Sequence, residues 1–403
     1  MFKKVLFFFL ISGLYANASE LKDLEQELDT IKLRLEEHEK KISLTSKDTF
    51  FSIGGRVRMD MVYNDTSVGS SGGESAYDFY LTPNSISEHS DQKHELVMQA
   101  RDSRLWFKTR KETPYGQIQT LVEVDFLGSS GNEQVTNSHN IRLRHAYVTL
   151  SNFTLGQTSS TFMGSGTSDS IQGSVDILLV RQPLIRYTKQ FEKTSLELAL
   201  ESAETTLTTN TNALLVANDD QIPDLTARIK NQSKLGEISL SVLVRQLRIH
   251  DDDQNISAVS KNSFAYHLSG RLKSFGTDKI TFGWAQGTGL GRYVAYNYFT
   301  SATLNDQNQL TLLPMTAYHI AYQHWWSTKL RSSLLYGWIS RESDNNVVDQ
   351  SSTKQADSYH ANIRFSPFEN ALLTLEYIYA QKEDYAGNHY DLNRIYLSSS
   401  YDF

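Results

Sequence analysis

The sequence predicts an all-β protein, a transmembrane antiparallel β-barrel of about sixteen strands preceded by a short N-terminal periplasmic α-helical coiled coil. Three observations support this fold class. Apolar and polar residues alternate from residue 50 to the C-terminus, short connections alternate with long polar loops over the same range, and the chain ends on an aromatic residue. Alternation with a period of two indicates β-strands, because successive side chains of a strand point to opposite faces.

The composition narrows the class further. The 403 residues include no cysteine, so a closed barrel or a core must hold the fold without disulfides. Tyr (21) and Phe (19) are abundant and Pro (6) is scarce, which favours strands and turns. A formal net charge of −7 argues against nucleic acid as a partner. After residue 18 no apolar run approaches the roughly 20 residues that a membrane helix needs, whereas barrel strands face lipid with only half their residues.

Residues 1–18 are expected to be a signal peptide that is not part of the fold. Lys3 and Lys4 form a positive n-region, Val5–Leu14 form an apolar h-region, and Ala16–Ala18 fits the small-x-small cleavage pattern. The apolar run is too short for the alternative, a lone membrane anchor. We therefore expect export from a bacterial cytoplasm and a mature chain that starts at Ser19.

Residues 19–46 are expected to form a periplasmic coiled-coil segment. Within Leu21–Ile42 the apolar residues follow the 3-4 spacing of heptad a and d positions. Leu at a with Ile31 at one d position favours more than two chains, so we expect a short parallel coil of three chains. An isolated amphipathic helix that packs on its own domain is the alternative.

Residues 47–403 are expected to form the barrel itself. Short connections such as Lys111–Gly116 and Ser151-Asn152 alternate with long polar loops, the layout of an up-and-down outer-membrane barrel with turns on the periplasmic side. A β-sandwich rarely sustains this alternation over a whole chain. The long loops are expected near residues 64–94, 128–138, 158–182, 203–221, 250–260, 287–315, 342–356 and 383–390.

The last strand, RIYLSSSYDF, points to the outer membrane of a Gram-negative bacterium. Ile395, Leu397, Tyr401 and Phe403 share one face, and the chain stops on the aromatic ring of Phe403. This pattern resembles the recognition signal of bacterial outer-membrane barrels. The expected partners are therefore the barrel-assembly machinery, membrane lipid and lipopolysaccharide, and the N-terminus is expected in the periplasm.

The strand NIRLRHAYVTL indicates which solvent each face meets. In a barrel the apolar face meets lipid and the polar face meets a wet lumen, because Arg on the lipid side costs about 2–4 kcal/mol near the midplane. We therefore expect Ile141, Leu143 and Tyr147 to face lipid, and Arg142 and Arg144 to face the lumen.

Other strands carry further arginines on the less apolar face. Guanidinium groups hold a carboxylate by two hydrogen bonds, and several of them in a narrow passage attract anions. The alternative is that these arginines only pair with acids such as Asp60, Glu123 and Asp125. The further arginines predicted in the lumen are Arg56, Arg58, Arg104, Arg186, Arg271, Arg331, Arg364 and Arg394.

The third long loop, residues 158–182, is expected to fold into the barrel and narrow it. Its glycines permit a tight inward path, and Asp169 and Asp176 are the candidates to face the arginines. An ordinary external loop is the alternative.

No motif indicates a cofactor, a metal or a catalytic residue. His250–Asp253 is interpreted as an external charge cluster, because it lacks the regular ligand spacing of a cation site. Gly287–Gly291 lacks the strand-to-helix context of a nucleotide loop, and no Gly-x-Ser-x-Gly elbow occurs.

Five blocks resemble, in this order, the DcaP-like porins: Arg101–Thr109, Val122–Gly128, Arg142–Leu150, Leu155–Met163 and Val180–Thr188. Phe51–Asp60 is similar to the start of their barrel. The resemblance is dense over residues 21–190 and thin afterwards, apart from the last strand. It departs at Ser159, where a Trp is usual in the family.

The resemblance implies a trimeric sixteen-stranded barrel with a periplasmic coiled coil that takes up anionic small molecules such as dicarboxylates. It also implies that lumen arginines contact the solute. The positions of this chain that fit are Arg56, Arg58, Arg104, Arg142, Arg144, Arg181 and Arg186.

The predicted function is passive, anion-preferring uptake of small solutes through an arginine-lined pore, with no chemistry catalysed. A general diffusion porin with weak selectivity is the second hypothesis. A barrel enzyme or a surface adhesin that uses the long loops is a hypothesis from another class. Single-channel conductance separates these, because an enzyme or an adhesin would give no stable large steps.

Overall fold

The computed structural model describes residues 49–65, 80–86, 94–128, 131–132, 135–164, 168–209, 214–217, 219–251, 256–343 and 349–403. The predicted signal peptide and the predicted coiled coil lie outside these residues and stay predictions. Within the described part of the chain the helices are short 3-10 turns at Pro83–Ser85, Gly291–Tyr293 and Ala295–Asn297, and no helix is long and apolar enough to cross a membrane.

One antiparallel sheet closes on itself into a barrel of sixteen strands within the described residues, which confirms the predicted fold class for this part of the chain. The second strand consists of two segments, and the last strand pairs with the first. The strands are β1 Thr49–Asn64, β2 Glu95–Gln99 with Arg104–Thr113, β3 Gly116–Asp125, β4 Arg142–Leu150, β5 Phe153–Ser159, β6 Arg181–Phe191, β7 Thr194–Glu201, β8 Asp224–Ser233, β9 Gly236–Asp251, β10 Ile256–Lys273, β11 Lys279–Gly287, β12 Met315–Trp325, β13 Leu330–Arg341, β14 Thr353–Phe365, β15 Ala371–Asp384 and β16 His389–Asp402.

Short turns join the strands at one end of the barrel, which we call the short-turn end, and most connections at the other end, the long-loop end, are long. Two of the predicted long loops are wrong. Near residues 250–260, β9 ends only at Asp251 and β10 already begins at Ile256. Near residues 383–390, β15 ends at Asp384 and β16 begins at His389. The pairing of these strands by backbone hydrogen bonds continues beyond the residues whose side chains alternate.

The outer face of the barrel carries the exposed apolar side chains, as expected of a face that meets lipid. Ile141 and Leu143 are 65% and 45% exposed. Tyrosine rings add an aromatic band, in which Tyr336 and Tyr359 have ring centroids 4.9 Å apart. The prediction for the apolar face of NIRLRHAYVTL therefore holds at its first two positions.

The third position, Tyr147, does not follow this prediction, because β4 contains a β-bulge. Leu143 pairs with Val124, but His145 pairs with Glu123, so Arg144 is one extra residue on its strand. Directly paired residues share a face, and His145 and Tyr147 therefore lie on the lumen side with Glu123. The prediction that Tyr147 faces lipid is wrong, since one inserted residue reverses the phase of every residue after it.

The C-terminal residue closes the seam between the last and the first strand. The N–H of Phe403 donates to the carbonyl of Gly55 at 2.9 Å, and the N–H of Gly55 donates to the carbonyl of Phe403 at 3.0 Å. A Cβ at Gly55 would meet the Phe403 ring, and a Cβ at Gly54 would meet the Trp106 ring on the opposite face. Two glycines thus allow aromatic rings to lie against both faces of the seam.

Two long loops fill the interior of the barrel near the long-loop end. Their described residues are 160–164 and 168–180, between β5 and β6, and 288–314, between β11 and β12. Their apolar side chains, among them Phe162 and Val294, form one buried cluster with residues of the wall. A separate four-stranded sheet packs on the ends of β9 and β10; it consists of Thr205–Thr209, Leu214–Ala217, Ala302–Leu304 and Leu310–Leu312.

Candidate functional site

The described residues between β5 and β6, 160–164 and 168–180, reach the opposite wall of the barrel, and we call them the constriction loop. The backbone N–H of Ile171 donates to Glu376 of β15 at 2.6 Å, and that of Val175 donates to Ser358 of β14 at 3.2 Å. These strands lie about half-way round the barrel from β5 and β6. The third long loop therefore folds inward, as the sequence predicted for residues 158–182.

Asp169 of the constriction loop faces arginines, although not those of β4. Its carboxylate lies 2.7 Å from Nε of Arg331 and 2.6 Å from Nη1 of Arg364. The buried carboxylate of Asp176 lies 2.7 Å from Nδ1 of His319 instead. Of the two predicted acids, only Asp169 meets guanidinium groups, and it partly neutralises two of them on the far wall.

The arginines of β4 are paired with acids on the neighbouring strand. Arg142 and Arg144 both reach Asp125, at 2.6 and 2.9 Å, and Arg144 also reaches Glu123 at 2.6 Å. Nη2 of Arg142 donates to the hydroxyl of Tyr80 at 2.8 Å. For these two arginines the alternative of simple ion pairing, which the sequence left open, is what the structure contains.

The arginines of β1 and β2 form a second set of ion pairs. Arg58 lies 2.8 Å from Asp60 and 2.7 Å from Asp102, which Arg104 also contacts at 2.9 Å. Asp102 lies where β2 is interrupted, so the break in the strand turns a carboxylate toward both guanidinium groups. These arginines remain partly open, since the Arg104 side chain is 24% exposed.

Arg56 of β1 and Arg186 of β6 hold two other parts of the barrel together. Arg56 pairs with Asp402 of the last strand at 2.5 Å. Nε of Arg186 donates to Thr161 of the constriction loop at 2.8 Å, and the guanidinium also bonds the carbonyl of Ser159. Arg186 thus holds the start of the constriction loop in place.

Arg181 differs from the other predicted arginines. Among the described residues no carboxylate lies within ion-pair distance of it, and its Nε has no hydrogen-bond partner. Its nearest charged neighbours include Arg144, Arg142 and Arg104, and the hydroxyl group of Tyr80 is also nearby. A guanidinium in this position has a positive charge that the described protein groups do not balance.

These side chains surround a cavity of about 490 Å³ in the middle of the barrel, which we call the arginine cavity. It is bounded on the other side by the constriction loop and by Arg364. Arg142 and Arg186 do not line this cavity, and their place in the pore lining stays a prediction. The predicted arginines that line it are Arg56, Arg58, Arg104, Arg144, Arg181 and Arg364.

Residues 288–314 contribute a part of the site that sequence reasoning missed. The N–H of Ala295 donates to the carbonyl of Ile177 at 2.8 Å, which ties this loop to the constriction loop. Ala295, Tyr296 and Asn297 all have positive φ, at 47°, 55° and 62°. This turn presses the ring of Tyr296 against Tyr80, with centroids 4.2 Å apart. No pattern in the sequence signals three left-handed residues without glycine.

A Ser–His–Glu arrangement is also present in the lumen. Nε2 of His360 lies 3.1 Å from the hydroxyl of Ser358, and Nδ1 lies 2.9 Å from Glu376. The Ser358 hydroxyl is buried and accepts the N–H of Val175, while Glu376 accepts that of Ile171. This set of residues binds the constriction loop and does not present a free hydroxyl to the cavity.

Within the described ranges no group of three or more His, Asp or Glu side chains is arranged to hold a metal ion. Asp252 and Asp253 of the predicted external charge cluster lie outside those ranges. Gly287–Gly291 leads from β11 into the inward loop, as its interpretation as loop backbone predicted.

Comparison with known proteins gives one family and several similar folds. The family described as DcaP outer membrane protein matches residues 11–403. The outer membrane channel DcaP of Acinetobacter baumannii is 22% identical with a TM-score of 0.74, over 90% of this chain and 99% of that chain. OmpT of Vibrio cholerae, in its trimer form, is 10% identical with a TM-score of 0.54, over 89% and 100%. OmpF of Salmonella typhi is 8% identical with a TM-score of 0.52, over 90% and 100%.

At these identities the solved structures show a shared fold. No curated protein matches this chain in sequence.

Proposed function

Since the chain belongs to the DcaP outer membrane protein family, we propose that it is a passive outer-membrane channel that prefers small anions, with dicarboxylates as the solute class. The channel lets solutes move down their concentration gradient and catalyses no reaction. A general diffusion channel with weak selectivity is the second candidate, because most lumen arginines already have carboxylate partners.

The observation that carries the anion preference is the unbalanced charge of Arg181. This guanidinium borders the arginine cavity beside Arg104 and Arg144, and its Nε has no partner in the protein. An unpaired charge in a partly dry passage is costly, so the site favours a mobile anion that supplies the missing partner. The planar fork of donors suits a carboxylate in particular.

A dicarboxylate has a second group to place, and partly exposed arginines are available on the adjoining wall. The side chains of Arg104 and Arg56 are 24% and 31% exposed and line the same cavity. Arg142 and Arg144 suit this role less well, because both bind Asp125. We therefore assign the first carboxylate to Arg181 and the second to Arg104 or Arg56.

The experiment is a reversal-potential measurement on purified channels in a planar bilayer with a KCl gradient. Arg181→Gln is expected to reduce the anion preference and the block of KCl current by succinate, whereas Lys234→Gln on an exposed short turn removes the same charge and should change neither. High salt should reproduce part of the loss by screening. An Arg181→Gln channel with the wild-type reversal potential and the wild-type block would refute the selective function and leave the general diffusion channel.

The assembly we propose is a homotrimer, in line with the trimer form of OmpT of Vibrio cholerae and with the predicted coil at Leu21–Ile42. Membrane lipid, lipopolysaccharide and the barrel-assembly machinery are proposed partners, the last through Phe403. Leu28→Cys in this cysteine-free chain should give disulfide-linked dimers in an oxidising buffer. An intact oligomer without any such dimers would argue against a parallel coil.

A further inference from the structure

A second cavity lies on the long-loop side of Tyr296. Its volume is about 380 Å³, and its wall includes Tyr296, Phe299, Thr300, Arg341 and Thr353. Tyr296 also lines the arginine cavity, so its ring stands between the two spaces. We call the second space the outer cavity.

Arg341 is the charged group that this cavity contains. It is the last residue of β13 and is only 7% exposed. Its Nη1 donates to the hydroxyl of Thr300 at 3.3 Å, and the guanidinium lies over the ring of Phe299, 5.4 Å from the centroid. Its Nε has no hydrogen-bond partner, and no carboxylate among the described residues lies within ion-pair distance.

A guanidinium that is more than nine-tenths buried without a counterion is energetically unfavourable. The groups that border the cavity are hydroxyls, amides and aromatic rings, which do not neutralise the charge. A carboxylate that enters the cavity would supply the missing charge by two-point hydrogen bonding to the fork of donors. The hydroxyl groups of Thr300 and Thr353 and the ring of Phe299 would contact the body of the same solute.

We propose that the outer cavity is a second anion-binding site, where Arg341 binds the carboxylate of a small organic anion before the anion passes Tyr296. This inference rests on the proposed channel function and adds a site to it. The ring of Tyr80 packs against the ring of Tyr296, and the hydroxyl of Tyr80 accepts a hydrogen bond from Arg142. The solute thus meets Arg341, then the rings of Tyr296 and Tyr80, then Arg181.

The passage is built from two joined loops. Val294 and Leu178 form a β-bridge, and the N–H of Ala295 donates to Ile177, so the turn with Tyr296 is attached to the constriction loop. The position of Tyr296 therefore depends on the same loop that narrows the arginine cavity. The outer cavity and the arginine cavity are therefore two anion sites in series, separated by the ring of Tyr296.

The test uses full-length channels in planar bilayers, with succinate added to one side at a time. Arg341→Gln should lower the rate of block by succinate from the long-loop side by about tenfold or more, the value of one or two charge-assisted hydrogen bonds. Block from the short-turn side should stay close to wild type, because a solute from that side meets Arg181 first. Arg341→Lys, which keeps the charge, should retain part of the block.

Arg292→Gln is the matched control. Arg292 belongs to the same inward loop, donates to the carbonyl of Ser202 at 2.9 Å, and lines neither cavity. It should leave succinate block unchanged from both sides. Because Arg341 also holds Thr300, the KCl conductance of each variant is measured without succinate, to detect a displaced loop.

The side dependence decides the outcome. Loss of block from the long-loop side alone supports the outer site. Equal loss from both sides, no loss at all, or a wild-type channel that succinate does not block from either side would overturn it. The anion preference in a KCl gradient is measured separately and tests the proposed function, so an anion-selective channel in which Arg341→Gln has no sided effect rejects only the outer site.

Discussion

The carboxylate of Asp169 lies 2.6 Å from Nη1 of Arg364, although the two residues are 195 positions apart in the chain. This contact joins the constriction loop to the wall opposite its own strands. Arg331 binds the same carboxylate at 2.7 Å, so one acid on the loop partly neutralises two guanidinium groups. The contact therefore sets both the position of the loop and the charge of the far wall.

Asp169→Asn is expected to increase both the conductance and the anion preference. The substitution removes the charge that Arg331 and Arg364 bind, and hydrogen bonds to charged groups are each worth about 1.5–3 kcal/mol. The loop should then undock more often, and two arginines become available to anions. Single-channel conductance and reversal potential measure the two effects. Asp349→Asn, on an exposed external loop, is the control, and a mutant with wild-type values of both quantities would contradict this role of Asp169.

Gly55→Ala is expected to destabilise the barrel at its seam. The new Cβ would meet the ring of Phe403, and overpacking of this kind typically costs about 1–3 kcal/mol. In a Phe403→Ala background most of that cost should disappear, because the ring is gone, and a remainder should persist from the nearby carbonyl of Arg104. Thermal unfolding of wild type, Gly55→Ala, Phe403→Ala and the double variant gives the coupling free energy between the two positions. If the cost of Gly55→Ala is the same in both backgrounds, the ring contact does not hold the seam.

Asp278, on the turn between β10 and β11, should make stability depend on acid pH. Hydrogen bonds from Tyr322 and His324 lower the pKa of Asp278 to about 2. A depressed carboxyl pKa stabilises the fold above the ordinary pKa of Asp, about 3.9, and this contribution is lost as the pH falls from about 4 to about 2.

Asp278→Asn should therefore unfold at a lower temperature than wild type at pH 7, and the difference should shrink as the pH approaches 2. Glu369→Gln removes an exposed carboxylate on another turn at the same end and should show no such trend. A difference between wild type and Asp278→Asn that is constant from pH 7 to pH 2 would mean that the ionised form of Asp278 is not what stabilises the turn.

The β-bulge at Arg144 predicts which residues of β4 contact water. Tyr147→Cys should react with a charged, water-soluble thiol reagent through the lumen, whereas Leu143→Cys should be shielded by lipid. Both variants are informative because the chain has no native cysteine. The measurement is the labelling rate of the folded channel in lipid vesicles. Faster labelling at position 143 than at position 147 would contradict the bulge and favour a regular strand with Tyr147 on the lipid face.

The sequence determined the barrel, because a strand between two solvents must alternate along its whole length. Ile141 and Leu143 could be placed on the lipid face, and Arg142 and Arg144 in the lumen, from this alternation alone. The inward course of the third long loop was also predictable, since its position in the chain and its glycines were visible.

The tertiary structure alone decided which arginines are neutralised. Arg56 pairs with Asp402, 346 positions away, because closing the sheet brings the last strand beside the first. Arg181 and Arg341 have no carboxylate partner among the described residues, and nothing in their local sequence separates them from Arg142. The alternation predicted the wrong face for Tyr147 for a related reason, because one inserted residue in β4 moves this side chain from the lipid face to the lumen. Local alternation fixes a side chain's face, whereas its partner depends on the register and closure of strands that are distant in the chain.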